Sequence, residues 1–322
     1  MTQDYTLCVA PMMDWTDRHC RYFHRLLAPN ARLYTEMVTP GALIHGDRQR
    51  FLGFDKAEKP VVLQLGGSDA ADLAQCARMG EDWGYDEINL NCGCPSPRVQ
   101  KGRFGACLMS EPELVASCLS AMAEVVSIPV TVKCRIAIDD AEDWPFLTNF
   151  IDTVMAQSPT RNVVLHARKA LLQGLSPKEN REVPPLRYDI AERLRGAYPD
   201  LTIVLNGGIA DMTVARQFLE TFDGVMLGRA AYQNPGILRE LQQEIWPDVP
   251  VLSIPAVLEE MARYTEEYVT TTGRHAHDVT RHMLGLFRDV KGAKAWRQTL
   301  SQLQGKPPAE TVSYLQRMAV AC

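Results

Sequence analysis

Eight short runs of apolar and β-branched residues recur along the first two-thirds of the chain, at residues 6–10, 31–37, 60–65, 87–91, 130–136, 162–166, 201–206 and 224–227. The intervals between them are too long for hairpins, and stretches such as 69–83, 112–126, 188–197 and 211–221 carry apolar residues at helical spacing. Ser110 and Asp211 stand at the openings of two of these stretches and are expected to cap them. Strands that alternate with helices run parallel, because each helix returns the chain to the same end of the sheet. Eight such units in about 230 residues fit an α/β fold of the (β/α)8 TIM-barrel type, whose usual size is about 250 residues. A doubly wound open sheet is the alternative. It would normally place a Gly-rich phosphate loop after the first strand, where this chain has Ala10-Pro11-Met12-Met13-Asp14.

Pro247, Pro250 and Pro255 mark residues 246–255 as a linker, since proline removes donors and blocks helix continuation. Beyond it no strand-like run stands out, while 256–271, 278–302 and 309–320 carry helical spacing. The expected organisation is a barrel over residues 1–245 followed by a small all-helical C-terminal domain over 246–322. At 46% hydrophobic and 23% charged residues the chain is an ordinary globular protein, neither disordered nor fibrous. Residues 1–5 open no signal peptide and no eighteen-residue apolar window occurs, so a cytoplasmic protein without membrane contact is expected. Nine cysteines without a CxxC pair argue against a disulfide framework or a metal site and for a reducing compartment. No motif implies an obligate protein partner.

Barrels gather their chemistry at the C-terminal ends of the strands. The seventh run ends in Asn206-Gly207-Gly208 and the eighth leads into Gly228-Arg229. Glycines there let backbone N–H groups approach a phosphate, and Arg229 can add a charge-assisted contact; tight strand-to-helix turns are the plainer explanation. In the fifth run, alternation puts Thr131, Lys133 and Arg135 on one face. A lysine inside a barrel needs an anionic or electron-rich partner, whether a reduced flavin, a carbonyl substrate forming a Schiff base, or a structural carboxylate such as Glu36 or Glu87. Gln64 and His166 end two further runs, so polar groups from five strands converge on one mouth.

The most specific stretch is Asn89-Leu90-Asn91-Cys92-Gly93-Cys94-Pro95-Ser96-Pro97, followed by residues 98–106. It is expected to form a long, irregular loop carrying three positive charges and no acid. A thiol above a barrel mouth can serve as nucleophile or general acid. No His or CxxC lies nearby in sequence to generate a thiolate, which favours the protonated thiol as an acid; a buried, inert cysteine is the alternative.

These residues resemble the tRNA-dihydrouridine synthase family. The stretches 10–17, 64–67, 89–95, 132–135, 166–168, 206–209 and 228–230 match its motifs in order, and the helical tail is similar to its C-terminal domain. Residues 98–109 and 169–185 are most similar to its bacterial A-type branch, which acts on uridines 20 and 20a of the tRNA D-loop. The resemblance implies an FMN enzyme that takes electrons from NADPH and reduces the C5=C6 bond of a tRNA uridine. In the family's mechanism, reduced FMN gives a hydride to uracil C6 and a cysteine protonates C5. Carried onto this chain, that acid is Cys94, with Cys92 structural. The FMN contacts fall on Pro11, Met12, Met13, Gln64, Lys133, His166, Asn206, Gly207, Gly208, Gly228 and Arg229. Asn91 matches the position that reads the flipped uracil.

The chemistry is consistent with this. Hydride addition at C6 pushes negative charge onto C5 and the C4 carbonyl, which an acid on the opposite face must quench. An ordinary thiol, with a pKa of about 8.5, is mostly protonated at neutral pH. The uridine must also leave the tRNA stack, so the protein needs a surface that grips folded RNA. The net charge of −5 does not suggest one, but charge is unevenly spread. Residues 93–107, 161–181 and 274–306 carry +3, +4 and +5, set in a strongly acidic remainder. Arg103, Lys178, Arg181, Arg281, Arg288 and Lys291 in these windows are the expected RNA contacts, the last three sharing one helix face with Phe287, Val290, Ala293, Trp296 and Leu300 packed on the other. A flavin-dependent dehydrogenase of free pyrimidines or dihydroorotate needs no basic tail. A Schiff-base aldolase using Lys133 and a non-catalytic tRNA-binding module are the remaining alternatives.

Overall fold

The computed structural model describes residues 4–321, so Met1–Gln3 and Cys322 of the stretches read above lie outside the described residues. All eight runs form strands: β1 (Leu7–Val9), β2 (Arg32–Tyr34), β3 (Val61–Leu65), β4 (Glu87–Cys92), β5 (Val130–Arg135), β6 (Asn162–His166), β7 (Thr202–Asn206) and β8 (Gly224–Leu227). Each pairs in parallel with the next, and β1 closes on β8 with Cys8 opposite Met226. Closure leaves no sheet edge, which explains why strands of three to six residues suffice. Their period-two alternation sorts side chains between two cores. Cys8, Tyr34, Val62, Val164, Val204 and Met226 fill the barrel interior, while Leu63, Ile88, Leu90, Val132, Leu165 and Leu205 face the surrounding helices. The interior also holds the buried Arg32–Glu87 pair toward its closed end, and the open end is the place for ligand chemistry.

Helix starts follow local capping chemistry. Asp17 accepts the N–H groups of His19 and Cys20 to begin Arg18–Leu27, and Asp211 accepts that of Val214 to begin Met212–Leu219. Ser110 does not cap the helix Pro112–Val125. That helix starts after Glu111 with proline in its first turn, which needs no N–H partner, and the Ser110 hydroxyl donates to the Cys107 carbonyl at 2.7 Å.

After Ile245 the chain runs through the proline-marked stretch into Ile254–Thr272, whose start is capped by Ser253 and takes Pro255 into its first turn. Ile254–Thr272 packs against Pro308–Ala321. This C-terminal region is fastened to Arg18–Leu27 on the barrel: the Tyr22 hydroxyl donates to Glu260 at 2.8 Å and its ring stacks on Tyr264 at 4.1 Å. Residues 278–302 are not one helix. His277–Thr280 passes into a 3-10 turn, and Ala293–Gln302 forms separately. Asp289 (φ 61°) and Gly292 (φ 98°) take left-handed backbone that interrupts helical propagation, and Gly285 lies so close to the Gln233 carbonyl that a Cβ would sit 2.6 Å from it. Arg281, Arg288 and Lys291 therefore share no helix face, and Val290 is 56% exposed rather than packed.

Trp296 and Leu300 are buried as expected. The Trp296 indole N–H donates to the Met283 carbonyl at 2.9 Å, and its ring meets Phe287 and Tyr314, so one side chain ties three C-terminal segments together. Trp296→Ala is expected to cost about 3–5 kcal/mol, read from denaturant unfolding. A loss below about 1 kcal/mol would show that the segments hold together without it.

Candidate active site

The inward face of β4 presents Glu87, Asn89 and Asn91, and that of β5 presents Thr131, Lys133 and Arg135, with Asn91 directly opposite Lys133. His166 on β6 lies opposite Arg135 on one side and Asn206 on the other. Gln64 from β3 joins Asn91, whose amide N–H donates to its side-chain oxygen at 2.9 Å. The strand-end residues Gln64, Asn91, Lys133, His166 and Asn206 are thus brought to one mouth, where β1 and β8 add the loop at Met12 and the turn at Gly228, each near the other.

Lys133 is nearly buried, and its ammonium donates to Asn206 Oδ1 at 3.0 Å. Neither Glu36 nor Glu87 pairs with it: Glu87 is taken by Arg32 at 3.0 Å, and Glu36 accepts the Asp14 N–H at 2.5 Å. Asn206 takes one of three ammonium donors, so capacity for an acceptor remains. Burial, reinforced by Arg135, lowers the Lys133 pKa to about 8. Burial and the same cluster of cations hold His166 well below its ordinary value, so its imidazole is neutral. Lys133, Arg135, Arg168, Arg181 and Arg229 feel one another, and the ion pairs among the described residues give this group one carboxylate, Glu182 on Arg229 at 2.6 Å. Such a cluster is built for an anionic or electron-rich ligand.

The stretch after β4 is less irregular than expected. Ser96 caps a short helix, Pro97–Lys101, and a 3-10 turn spans Gly105–Ser110. Gly105 (φ 77°) crosses the Cys94 backbone so closely that a Cβ would sit 2.5 Å from the Cys94 carbonyl, which accepts the Ala106 N–H at 2.9 Å. The Cys94 thiol is partly exposed at the mouth, whereas Cys92 points outward into the buried core, which pushes its pKa well above the ordinary value. Strand alternation alone would put residues 92 and 94 on the same face; β4 ends at Cys92, and the turn at Gly93, held by Asn91 Oδ1 accepting the Gly93 and Cys94 N–H groups, takes Cys94 away from the core.

Arg135 holds two loops together: its guanidinium donates to the carbonyls of Gly93 at 2.9 Å, Lys169 at 3.1 Å and Asn180 at 3.0 Å. Gln100 repeats the device, donating to Pro95 at 2.8 Å and Leu172 at 2.7 Å. These residues and Asn89 were not among the expected site residues. Strand alternation carries the signal for Asn89 and Arg135, but nothing in the local sequence marks Gln100.

The remaining expected residues divide. At the end of β7, Gly207 (φ 110°) packs against His166, where a Cβ would lie 2.7 Å from the ring, and Gly208 has φ 72°. Pro11, Met12 and Met13 follow β1; Met12 leans on the interior core and Met13 is 57% exposed. Arg103 lies outside the ring of strand ends, on a turn (φ 53°) beside Glu111 at 3.8 Å. Lys178 is exposed and Arg181 joins the cation cluster. Arg281 is committed to Asp17 at 2.6 Å, next to His282 at 3.0 Å, while Arg288 and Lys291 are exposed. Arg161, counted in the second basic window, precedes β6 and so lies at the end of the barrel opposite the mouth, bonded to the carbonyls of Ser158 and Thr160. Among the described residues, no group of three His, Cys, Asp or Glu side chains is placed to hold a metal ion.

Fold and site together define a barrel enzyme whose mouth carries a partly exposed cysteine, neutral amides and a cluster of five cations with a single paired carboxylate, an arrangement for an electron-rich ring. Residues 8–320 match the dihydrouridine synthase (Dus) family, and the chain belongs to it. This family is flavin-dependent and reduces uridine to dihydrouridine in tRNA. Relatives named tRNA-dihydrouridine(20/20a) synthase include one from Vibrio cholerae, 54% identical over 96% of this chain and 94% of its own length. One from Shewanella oneidensis is 55% identical over 93% of this chain and 89% of its own length. Another, from Xanthomonas campestris, is 55% identical over 94% of this chain and 90% of its own length. No helix among the described residues is long and apolar enough to cross a membrane.

Proposed function

We propose that this protein reduces uridines 20 and 20a of the tRNA D-loop to 5,6-dihydrouridine, with FMN as its flavin, NADPH as electron donor and Cys94 as the acid. The observation that carries the reading is the partly exposed Cys94, which interacts electrostatically with a buried Lys133 that has no carboxylate partner among the described ion pairs. The residues present fit a flavin phosphate: left-handed glycines at 207 and 208, Gly228 and Arg229 offer N–H groups and positive charge, and Lys133 with Gln64 and Asn206 offers polar contacts to a ring. Pro11, Met12 and Met13 would close over the cofactor, and neutral His166 would contact it without adding charge.

When bound, the reduced flavin supplies a hydride to uracil C6. Cys94 donates its S–H proton to C5, forming the C5–H bond and leaving a thiolate that solvent reprotonates. Arg135, Lys133 and Arg181 are the cations that interact electrostatically with Cys94. Asn91 at the mouth reads the flipped base. Residues 246–322 form a tRNA-binding domain, with Arg103, Lys178, Arg181, Arg288 and Lys291 contributing to the RNA-facing surface, while Arg281 is held by Asp17. A tRNA substrate places this work in the cytoplasm.

The test compares unmodified tRNA transcript with free uridine in the presence of FMN and NADPH, mapping the reduced positions. Product at 20 and 20a is expected. Comparable turnover of free uridine would overturn the reading in favour of a free-pyrimidine dehydrogenase. Raising salt from about 50 to about 200 mM is expected to weaken tRNA binding at least about tenfold, through released counterions.

A further inference from the structure

A line of buried polar side chains crosses the barrel from its closed end to the Cys94 loop. Arg32 pairs with Glu87 Oε2 at 3.0 Å. The Thr131 hydroxyl donates to Glu87 Oε1 at 2.6 Å and accepts from Asn89 Nδ2 at 2.8 Å. Asn89 Oδ1 accepts from Gln64 Nε2 at 2.8 Å, and Gln64 Oε1 accepts from Asn91 Nδ2 at 2.9 Å. Asn91 Oδ1 then accepts the backbone N–H groups of Gly93 at 3.1 Å and Cys94 at 3.0 Å. Every side chain in the line is buried.

The two ends of this line are chemically unambiguous, and they fix everything between. A carboxylate facing a guanidinium can only accept, and a backbone N–H can only donate. The single hydroxyl proton of Thr131 goes to Glu87 at 2.6 Å rather than to the Ile88 carbonyl at 3.5 Å, which leaves its oxygen to accept from Asn89. Each amide in turn has one orientation that satisfies both neighbours. We propose that Glu87, through Thr131, Asn89 and Gln64, is a positioning residue that orients the Asn91 amide and thereby holds the Cys94 loop in its working geometry.

Replacing Glu87 by glutamine tests this, because it leaves one oxygen where there were two. Arg32 is a buried cation and takes that oxygen, so the new NH2 faces Thr131. Thr131 then accepts from residue 87; because its other acceptor, the Ile88 carbonyl, is distant at 3.5 Å, its proton turns to Asn89, and the reversal passes along Asn89 and Gln64 to Asn91. Its NH2 would meet the N–H groups of Gly93 and Cys94, donor against donor. The strand residues are fixed in the barrel wall, so the mismatch is relieved where the chain leaves the strand, at residues 93–94.

The inference rests on Cys94 as the acid, so the experiment carries a readout that does not need turnover. In flavin-loaded full-length protein, Glu87→Gln is expected to lower kcat on tRNA about 10- to 100-fold with KM for tRNA little changed, the order of effect of a misplacement near 1 Å. It should also shift the rate of Cys94 alkylation by iodoacetamide, followed by peptide mapping, at least about fivefold. The double variant Arg32→Met/Glu87→Gln frees the glutamine to turn its oxygen to Thr131 and should restore both readouts, whereas a merely structural role predicts additive loss. Thr131→Val keeps the Arg32–Glu87 pair and cuts the line, and it decides the matter if Glu87→Gln does not fold. Unchanged kcat and unchanged Cys94 alkylation in Thr131→Val, or no rescue in a folded double variant, would overturn the proposal. A wild-type protein that makes no dihydrouridine would instead sink the functional reading, while the alkylation rates still judge the line.

Discussion

Cys94→Ala is expected to lose tRNA dihydrouridine formation by a factor on the order of 10² to 10⁴, the usual contribution of a positioned general acid. The loss should fall on uridine reduction alone. The loop is held by contacts that do not involve the thiol: Asn91 to the Gly93 and Cys94 N–H groups, Arg135 to the Gly93 carbonyl, Gln100 to the Pro95 carbonyl and Ala106 to the Cys94 carbonyl. Flavin content and flavin reduction by NADPH are therefore expected to stay near wild type. Cys107, whose thiol is turned to the Phe104 carbonyl at 3.1 Å and whose pKa burial raises, supplies the control. Cys107→Ala should leave product formation within about twofold, since an exchange of one cysteine methylene sulfur for a methyl away from the mouth removes no acid. Product at the wild-type rate in Cys94→Ala would assign the proton donor to another group.

Lys133→Met is expected to weaken flavin binding about 10- to 100-fold, the equivalent of a hydrogen bond to a charged group. Its pH dependence is the sharper measurement. Burial lowers the Lys133 pKa to about 8 in the ligand-free chain. An electron-rich ligand beside the ammonium favours the charged form and raises that pKa in the complex. Below pH 8 the free protein already carries the proton, and affinity is flat. Above it, binding must take up a proton, so affinity falls by up to about tenfold per pH unit until the pKa of the complex is reached. Flavin fluorescence titrations from pH 6.5 to about 10 should show this break in the wild type and a flat line in Lys133→Met. A break that survives the substitution would belong to another group.

The barrel was legible because its cause is local. Runs of β-branched residues at long intervals dictate buried parallel strands, and β6 and β8 fall at 162–166 and 224–227 as expected. The shared face of Thr131, Lys133 and Arg135 on β5 followed from alternation alone, whereas the separation of Cys94 from a buried Cys92 did not: the two are two residues apart, and the turn at Gly93 after β4 parts them. Ser110 shows the limit of local signals: its hydroxyl turns to a nearby carbonyl because Gly105–Ser110 is already wound into a 3-10 turn. The broken stretch at 278–302 shows another. Apolar spacing suited a helix, but a close approach of Gly285 to Gln233, some fifty residues earlier in the chain, fixes a different path.

Composition and periodicity, then, determined the barrel, the helical tail and the residue types at the strand ends, because each depends on side chains a few positions apart. What only the tertiary structure decided is who partners whom. Lys133 meets Asn206 rather than a glutamate, Arg281 is spent on Asp17, and Arg161 sits at the wrong end of the barrel to face a ligand. Glu87 turned out to stand at the head of a buried hydrogen-bonded line that ends on the Cys94 backbone. Such pairings join residues from different strands and loops, and donor–acceptor complementarity selects among them only once the closed barrel has brought them within reach.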